Sequence, residues 1–200
     1  MQATDLPGYE LFFAPLAVTL DPTDLERTQF AYIASKYGHA RQTREGGGRY
    51  FDHPKAAAWI YIHELGGRDA RAICDLLLHD LQEDAYLLSS HRMALNFGED
   101  IALDVRALTK VAKGKETTEE YLARVVARGP HTVLAKLCDR LHNLRSLAGC
   151  TPEKQARQIA ETREYHLRLL PQALVSCGAP WTTYAEYLER AIVEIFSHHE

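Results

Sequence analysis

His79 and Asp80 are adjacent residues at the end of the most apolar segment of the sequence, directly after a run of three leucines. A charged side chain is costly in such surroundings unless it is paired or binds a metal ion. Glu83 and Asp84 follow Asp80 by three and four residues, so a continuous helix would bring them to the same face. A lone His-Asp pair is common by chance, but four titratable groups on one turn of an apolar segment indicate a functional site rather than a solvated helix end.

Two further segments carry side chains of the same chemical types. His53 follows the glycine run 46–48, where the start of a helix can direct an imidazole inwards. In the segment 136–145, Asp139, His142 and Asn143 have the helical spacing i, i+3, i+4 and are surrounded by leucines. These positions predict that both segments contribute to the same site as the His-Asp pair.

His53, His79, Asp80 and Asp139 together offer two imidazoles and two carboxylates. A mixed nitrogen and oxygen donor set suits Mn²⁺, Fe²⁺ or Zn²⁺ and excludes the thiolate ligands of structural zinc. Four protein ligands leave room for water on an ion that accepts five or six, so such an ion could activate a water nucleophile.

The elements that must position these side chains are predicted to be helical nearly throughout. Capping residues, glycine stops and apolar periodicity predict helices over 22–38, 53–65, 69–81, 99–108, 119–127, 132–147, 152–170 and 183–196. Alternating strand patterns and hairpin turns are not found. We therefore predict an all-α protein with one compact domain over residues 22–200, preceded by an N-terminal arm over residues 1–21.

The composition narrows the classes of function. The 200 residues are 46% hydrophobic, which excludes a disordered chain, and they include no long uncharged apolar run, which argues against a membrane span. Lys and Arg number 23 against 27 Asp and Glu, a net charge of −4 that argues against nucleic-acid binding. The four cysteines are scattered and the N-terminus is unlike a secretory signal, so we expect a cytoplasmic protein with reduced thiols. A small anionic ligand remains compatible with this charge.

The motifs resemble those of the HD-domain phosphohydrolases, in which a histidine, an adjacent His-Asp pair and a distant aspartate recur. More narrowly, the sequence is similar to the hydrolase domain of the RelA/SpoT alarmone enzymes and to the small alarmone hydrolases. The similar segments are 39–44 with 50–54, 77–84 and 136–147, within roughly residues 22–170. The His-Asp pair alone is a weak signal, whereas HDxxED together with KxxDRLHNxR is specific. The resemblance implies an HD-domain helical bundle.

The resemblance also implies an activity, which is removal of the 3′-pyrophosphate from guanosine tetra- or pentaphosphate with one Mn²⁺ ion as the cofactor. The metal ligands implied by position are His53, His79, Asp80 and Asp139. Glu83 and Asp84 match the catalytic acidic pair, and we assign them to orienting and deprotonating the attacking water.

Four residues are implied as contacts of the nucleotide. Arg44 matches a residue that lies on the base, a position that suits a planar guanidinium. Asn143 matches a nucleoside contact, and Tyr165 is expected to face the same pocket. Lys110, with two further lysines of its loop, is a candidate phosphate contact, although a solvated loop is an equal alternative.

The sequence departs from the family next to Arg44. Many relatives have Arg-Lys-Ser-Gly where this chain has Arg-Glu-Gly-Gly over residues 44–47. The change removes a cation and a hydroxyl and adds Glu45 as an acceptor, so adenosine 3′-pyrophosphates are an alternative to the guanosine substrates. A generic HD nucleotide phosphatase and a non-catalytic nucleotide-sensing module are the alternative functions, and a homodimer is a possible assembly.

The other histidines match no motif. His63, His91, His131 and His166 are predicted to be surface or capping residues rather than ligands. His142 belongs to the motif but is predicted to support the fold or the surroundings of the metal rather than to bind it.

Overall fold

The computed structural model describes residues 6–45, 47–82, 88–111 and 115–197. Over these residues the chain forms α-helices and short helical turns, and the nearest approach to a strand is an isolated bridge between Thr43 and Arg49. The helices are α1 (Tyr9–Ala17), α2 (Pro22–Gly38), α3 (Asp52–Trp59), α4 (Ala70–Leu78), α5 (Ser90–Phe97), α6 (Glu99–Leu108), α7 (Thr118–Arg128), α8 (Pro130–Arg145), α9 (Pro152–Glu161), α10 (Leu167–Val175) and α11 (Trp181–Phe196). The predicted all-α fold class is confirmed.

Helix starts follow the capping residues that the sequence offers. The Asp21 carboxylate accepts a hydrogen bond from the Asp24 backbone N–H at 3.0 Å and caps α2. Asp69 accepts from the N–H groups of Arg71 and Ala72 and caps α4. These side chains satisfy backbone donors that have no partner inside the first turn.

A π-helical turn, Ile60–Glu64, continues α3, and the chain then needs glycine twice. Gly66 has a φ of 67°, in the left-handed region that favours glycine. Gly67 lies against the ring of Tyr61, where an added Cβ would come within 2.1 Å of ring carbons. The two glycines therefore end this helical segment where the sequence predicts a stop and let the chain turn towards α4.

Helices α3, α4 and α8 pack against one another and form the centre of the fold. Every residue of α4 except Arg71 is buried, and so are eleven residues of α8. A helix that is buried nearly all round must lie inside the core rather than on its surface. The surrounding helices include α2 against α4, and α7, α10 and α11 against α8. None of the helices in the described part of the chain is long and apolar enough to cross a membrane.

Two helices were not predicted from the sequence. Helix α1 buries Phe12, Phe13 and Leu16, and the first two rings contact Tyr32 of α2. Helix α5 buries Met93 and Phe97. The segment predicted as a helix over 152–170 is helical throughout, but a π-helical turn, Thr162–His166, separates α9 from α10.

Asp75 is a fully buried carboxyl group on α4, next to Asp104 of α6. Asp104 is also buried, and its carboxylate contacts the guanidinium groups of Arg71 and Arg128, each at 2.7 Å. Burial, and then the negative charge of Asp104, raise the pKa of Asp75 well above its usual range. Burial therefore favours the neutral form of Asp75 in the folded protein.

We expect this buried acid to make stability fall with rising pH. In the unfolded chain an aspartate ionises near its usual pKa of about 3.9. The stabilising contribution of the raised pKa is therefore complete below that pH and is lost as the pH rises through the folded-state pKa. Asp75→Asn has no proton to lose, so its free energy of unfolding should fall less between about pH 5 and pH 8 than that of the wild type. Urea unfolding across this range tests the expectation, with Asp24→Asn, at a partly exposed position of α2, as control. Equal pH slopes for wild type and Asp75→Asn would contradict it.

Candidate metal centre

The three central helices bring the predicted ligands together. His53 is the second residue of α3, His79 and Asp80 directly follow α4, and Asp139 lies in α8. The Nδ1–H of His79 donates to the Leu76 carbonyl at 2.9 Å, which directs its Nε2 away from the backbone of α4. All four predicted ligands thus lie in, or directly after, helices that pack in the core.

The donor atoms of these side chains converge on one point. The Nε2 atoms of His53 and His79 are 3.3 Å apart. The Asp80 carboxylate lies 3.5 Å from Nε2 of His53 and 3.3 Å from Nε2 of His79. Oδ1 of Asp139 lies 3.1 Å and 3.7 Å from the same two nitrogens. Asp80 is 18% exposed at its side chain, and the other three groups are buried.

This geometry fits a divalent metal ion. His53, His79 and Asp80 each present a ligand atom within 4.8 Å of the others, and Asp139 adds a fourth donor beside both imidazoles. Donors bound to one ion at about 2.0–2.2 Å lie roughly 3 to 3.5 Å from one another, close to the distances found here. Two nitrogen and two oxygen donors suit Mn²⁺, Fe²⁺ or Zn²⁺.

The electrostatics also favour a cation at this point. Burial opposes protonation of His79, but the carboxylates of Asp80 and Asp139 outweigh it and raise the pKa of His79 to about 9. Burial opposes ionisation of Asp139, yet Lys136 and the two histidines hold the pKa of Asp139 well below its usual range. The site therefore holds positive charge between two carboxylates, and a bound metal ion would displace the His79 proton.

Two α8 side chains hold the Asp139 carboxylate from both sides. The Lys136 ammonium donates to Oδ2 at 2.7 Å, and the Asn143 amide donates to Oδ1 at 2.6 Å. The Lys136 ammonium also lies 5.2 Å from the centre of the Tyr121 ring. These contacts fix which oxygen of Asp139 faces the histidines.

A cavity of about 840 Å³ lies beside the four predicted metal ligands. Arg44, Lys110 and Asn143, which are predicted nucleotide contacts, line it together with the four ligands. The Arg44 guanidinium donates to the Asn143 carbonyl at 2.7 Å and lies 5.6 Å from the centre of the Tyr50 ring. Lys110 lies 5.6 Å from the ring centre of Tyr121. The structure thus brings the predicted metal ligands and three of the predicted nucleotide contacts into one cavity.

Three predicted site residues are not among the described residues that line the cavity. Tyr165 is partly buried against the core in the π-helical turn and is not among the residues that line the cavity. Glu83 and Asp84 lie outside the described residues. Glu45, the departure from the family pattern, pairs with Lys154 of α9 at the rim of the cavity.

His166 corrects a further prediction, since it was expected at the surface. It is buried, and its Nε2 accepts a hydrogen bond from the Arg140 guanidinium at 2.7 Å. Burial and the charge of Arg140 lower the pKa of His166 to about 2, so the ring is a neutral acceptor. His166 therefore fixes a cavity-lining arginine, a role that its sequence position did not indicate.

Comparison with known proteins identifies the family of the chain. The profile of the family described as "HD domain" matches residues 31–165. A protein of Aquifex aeolicus named guanosine-3′,5′-bis(diphosphate) 3′-pyrophosphohydrolase is 35% identical over 153 residues, which are 74% of this chain and 22% of the relative. A Synechocystis protein named as probably the same enzyme is 37% identical over 134 residues, 63% of this chain and 17% of the relative. The chain therefore spans about a fifth of the length of these curated relatives.

A solved structure described as a metazoan ortholog of SpoT that hydrolyzes ppGpp shares the fold. It superposes with a TM-score of 0.69 at 23% identity, over 90% of this chain and 97% of that one. The chain belongs to the HD-domain family, and the resemblance to RelA/SpoT-type hydrolases that its motifs predict is confirmed.

Proposed function

We propose that the protein is a metal-dependent pyrophosphohydrolase that removes the 3′-pyrophosphate from alarmone nucleotides. The products are pyrophosphate and the nucleoside 5′-diphosphate or 5′-triphosphate. The observation that carries the proposal is a cluster of two imidazoles and two carboxylates inside a cavity lined by predicted nucleotide contacts. The names of the Aquifex and Synechocystis relatives support the same reaction.

The charge of the cavity supports a polyanionic substrate. Although the whole chain has a net charge of −4, the described residues that line the cavity include seven Lys and Arg against four Asp and Glu. Such a local excess of positive charge attracts phosphate groups and offers them donors. Lys110 is therefore proposed as a phosphate contact, and Arg44, with its planar guanidinium near Tyr50, as a contact of the base.

We propose Mn²⁺ as the ion, held by His53, His79, Asp80 and Asp139. When bound, such an ion lowers the pKa of water and offsets the charge of the pyrophosphate. Asn143 and Lys136 keep the Asp139 carboxylate in place. Glu83 and Asp84 are proposed to orient the attacking water and take its proton, as their motif implies.

The cellular location and the assembly of the protein are further parts of the proposal. The cysteines Cys74, Cys138, Cys150 and Cys177 are free, which agrees with a cytoplasmic location. A homodimer stays a prediction from the sequence.

Product analysis tests the proposed reaction. The Mn²⁺-loaded protein is incubated with the guanosine and the adenosine 3′-pyrophosphates, and the products are separated by anion exchange. We expect pyrophosphate together with the nucleoside 5′-phosphate, and none after the metal is removed by a chelator. Release of orthophosphate would instead support a generic HD phosphatase. Binding of the nucleotide by metal-loaded protein without turnover would support a sensing module. The ratio of rates for the two nucleotides shows which base the loop with Glu45 accepts.

A further inference from the structure

We propose that His142 is a positioning residue that holds the metal ligand His53 in the orientation and tautomer that present Nε2 to the metal. The inference rests on the proposed metal centre. It concerns a side chain that lines the cavity without belonging to the ligand cluster.

The contact between the two rings is short and uses defined atoms. Nδ1 of His142 lies 2.7 Å from Nδ1 of His53, and the ring centres are 4.9 Å apart. A hydrogen bond of this length needs one nitrogen that carries a proton and one that accepts it. Nε2 of His53 faces Asp80, Asp139 and His79, and it must be unprotonated to bind a metal ion. In the metal-loaded protein the proton of His53 is therefore on Nδ1, and His142 is the acceptor.

The contact between His53 and His142 resembles the usual support of a metal-bound histidine, but the acceptor is of a different kind. A metal-bound histidine nearly always donates its second N–H to a carboxylate, a backbone carbonyl or water, which fixes the ring and raises its basicity. Here the acceptor is another imidazole. The side chain of His142 is only partly exposed. A neutral ring at this position keeps a lone pair available for His53.

His142 connects two of the helices that carry predicted metal ligands. Asp139 lies one turn before His142 on α8, whereas His53 lies on α3. Helix α8 therefore contributes one ligand directly and supports a second ligand through the ring contact. Because α3 and α8 pack against each other in the core, the support is rigid.

The test measures Mn²⁺ binding by titration calorimetry in the absence of nucleotide. His142→Ala and His142→Leu remove the acceptor, and His142→Leu also keeps an apolar side chain in the space. His142→Asn retains an acceptor, because its side-chain carbonyl oxygen is the same number of bonds from the backbone as Nδ1 of histidine.

We expect the affinity for Mn²⁺ to fall about 10- to 100-fold in the alanine and leucine variants, the scale for losing such a support. His142→Asn should remain within a few-fold of wild type. His91→Ala, at an exposed position of α5, is the matched control and should bind normally.

The outcomes separate positioning from packing. Normal Mn²⁺ affinity in His142→Ala, or equal losses in the asparagine and leucine variants, would overturn the proposal. If His142→Ala unfolds, as judged by circular dichroism, the asparagine and leucine pair still decides it. The proposed function fails differently, because it would give wild-type protein that binds Mn²⁺ but releases no pyrophosphate.

Discussion

Replacing Asp80 with alanine is expected to abolish both metal binding and turnover. Asp80 contacts the metal-facing nitrogens of His53 and His79, at 3.5 Å and 3.3 Å. It is also the ligand most exposed to the cavity, and the core behind it is apolar. Alanine leaves no anionic donor that could replace the carboxylate. The remaining ligands would carry one negative charge fewer against a divalent ion, so the ion loses both a bond and charge compensation.

The measurements are metal content after dialysis against Mn²⁺ and the initial rate of pyrophosphate release. Asp24→Ala makes the same substitution on α2, outside the cavity, and should keep both. Tyr50→Phe is an informative intermediate, because the Tyr50 hydroxyl donates to Asp80 at 3.0 Å and its loss leaves the carboxylate in place. Full metal content and turnover in Asp80→Ala would refute the assigned ligand set.

The convergence of the four predicted ligands was the feature of the structure that the sequence predicted best. His53, His79, Asp80 and Asp139 come from distant segments, yet the structure brings their donor atoms within hydrogen-bonding range. This was predictable because charged groups inside apolar helices need a partner, and the chemistry of the residue types indicated which one. The contact between His53 and His142 was not predictable in detail, since it depends on how α3 crosses α8.

The two missed helices have either a weak start or a misleading apolar pattern, although Ser89 caps α5. Helix α1 follows Gly8, which offers no side-chain cap, and contains Pro15. In α5, the apolar residues Met93, Leu95 and Phe97 alternate as they would in a strand, and Leu95 is in fact 73% exposed. Both segments form helices because they bury aromatic or apolar side chains against the core, so tertiary packing outweighs local pattern.

A π-helical turn interrupts the helical segment that contains Tyr165 and His166. The expected position of Tyr165 came from the family resemblance, and that of His166 from its lack of a matching motif. The turn Thr162–His166 has hydrogen bonds to the fifth residue rather than the fourth, which changes the direction of the side chains that follow. His166 consequently lies in the core against Arg140, while Tyr165 does not line the cavity. Periodicity of apolar residues cannot locate such a turn.

Replacing Glu83 with glutamine is expected to remove catalysis while leaving the metal bound. Glu83 follows Asp80 by three residues in the HDxxED motif. We propose that its carboxylate acts on the attacking water without being one of the four ligands. Glutamine keeps the size and the hydrogen-bonding capacity but cannot accept a proton from water. Turnover should fall by about 10²-fold or more, the scale of general acid–base catalysis.

The companion variant Asp84→Asn should show a similar or milder loss, because two adjacent carboxylates can share the function. Initial rates and metal content are measured on the same samples, so a loss of rate through loss of metal is recognised directly. Glu99→Gln, in the first turn of α6, is the matched control and should be unaffected.

If Glu83 and Asp84 only form a solvated chain segment, both variants will turn over at near-normal rates with a full complement of metal. That result would exclude both residues as the proton acceptor, and the base would then have to be one of the groups that line the cavity. A selective loss of rate at full metal content would instead separate the residues that hold the ion from those that activate the water.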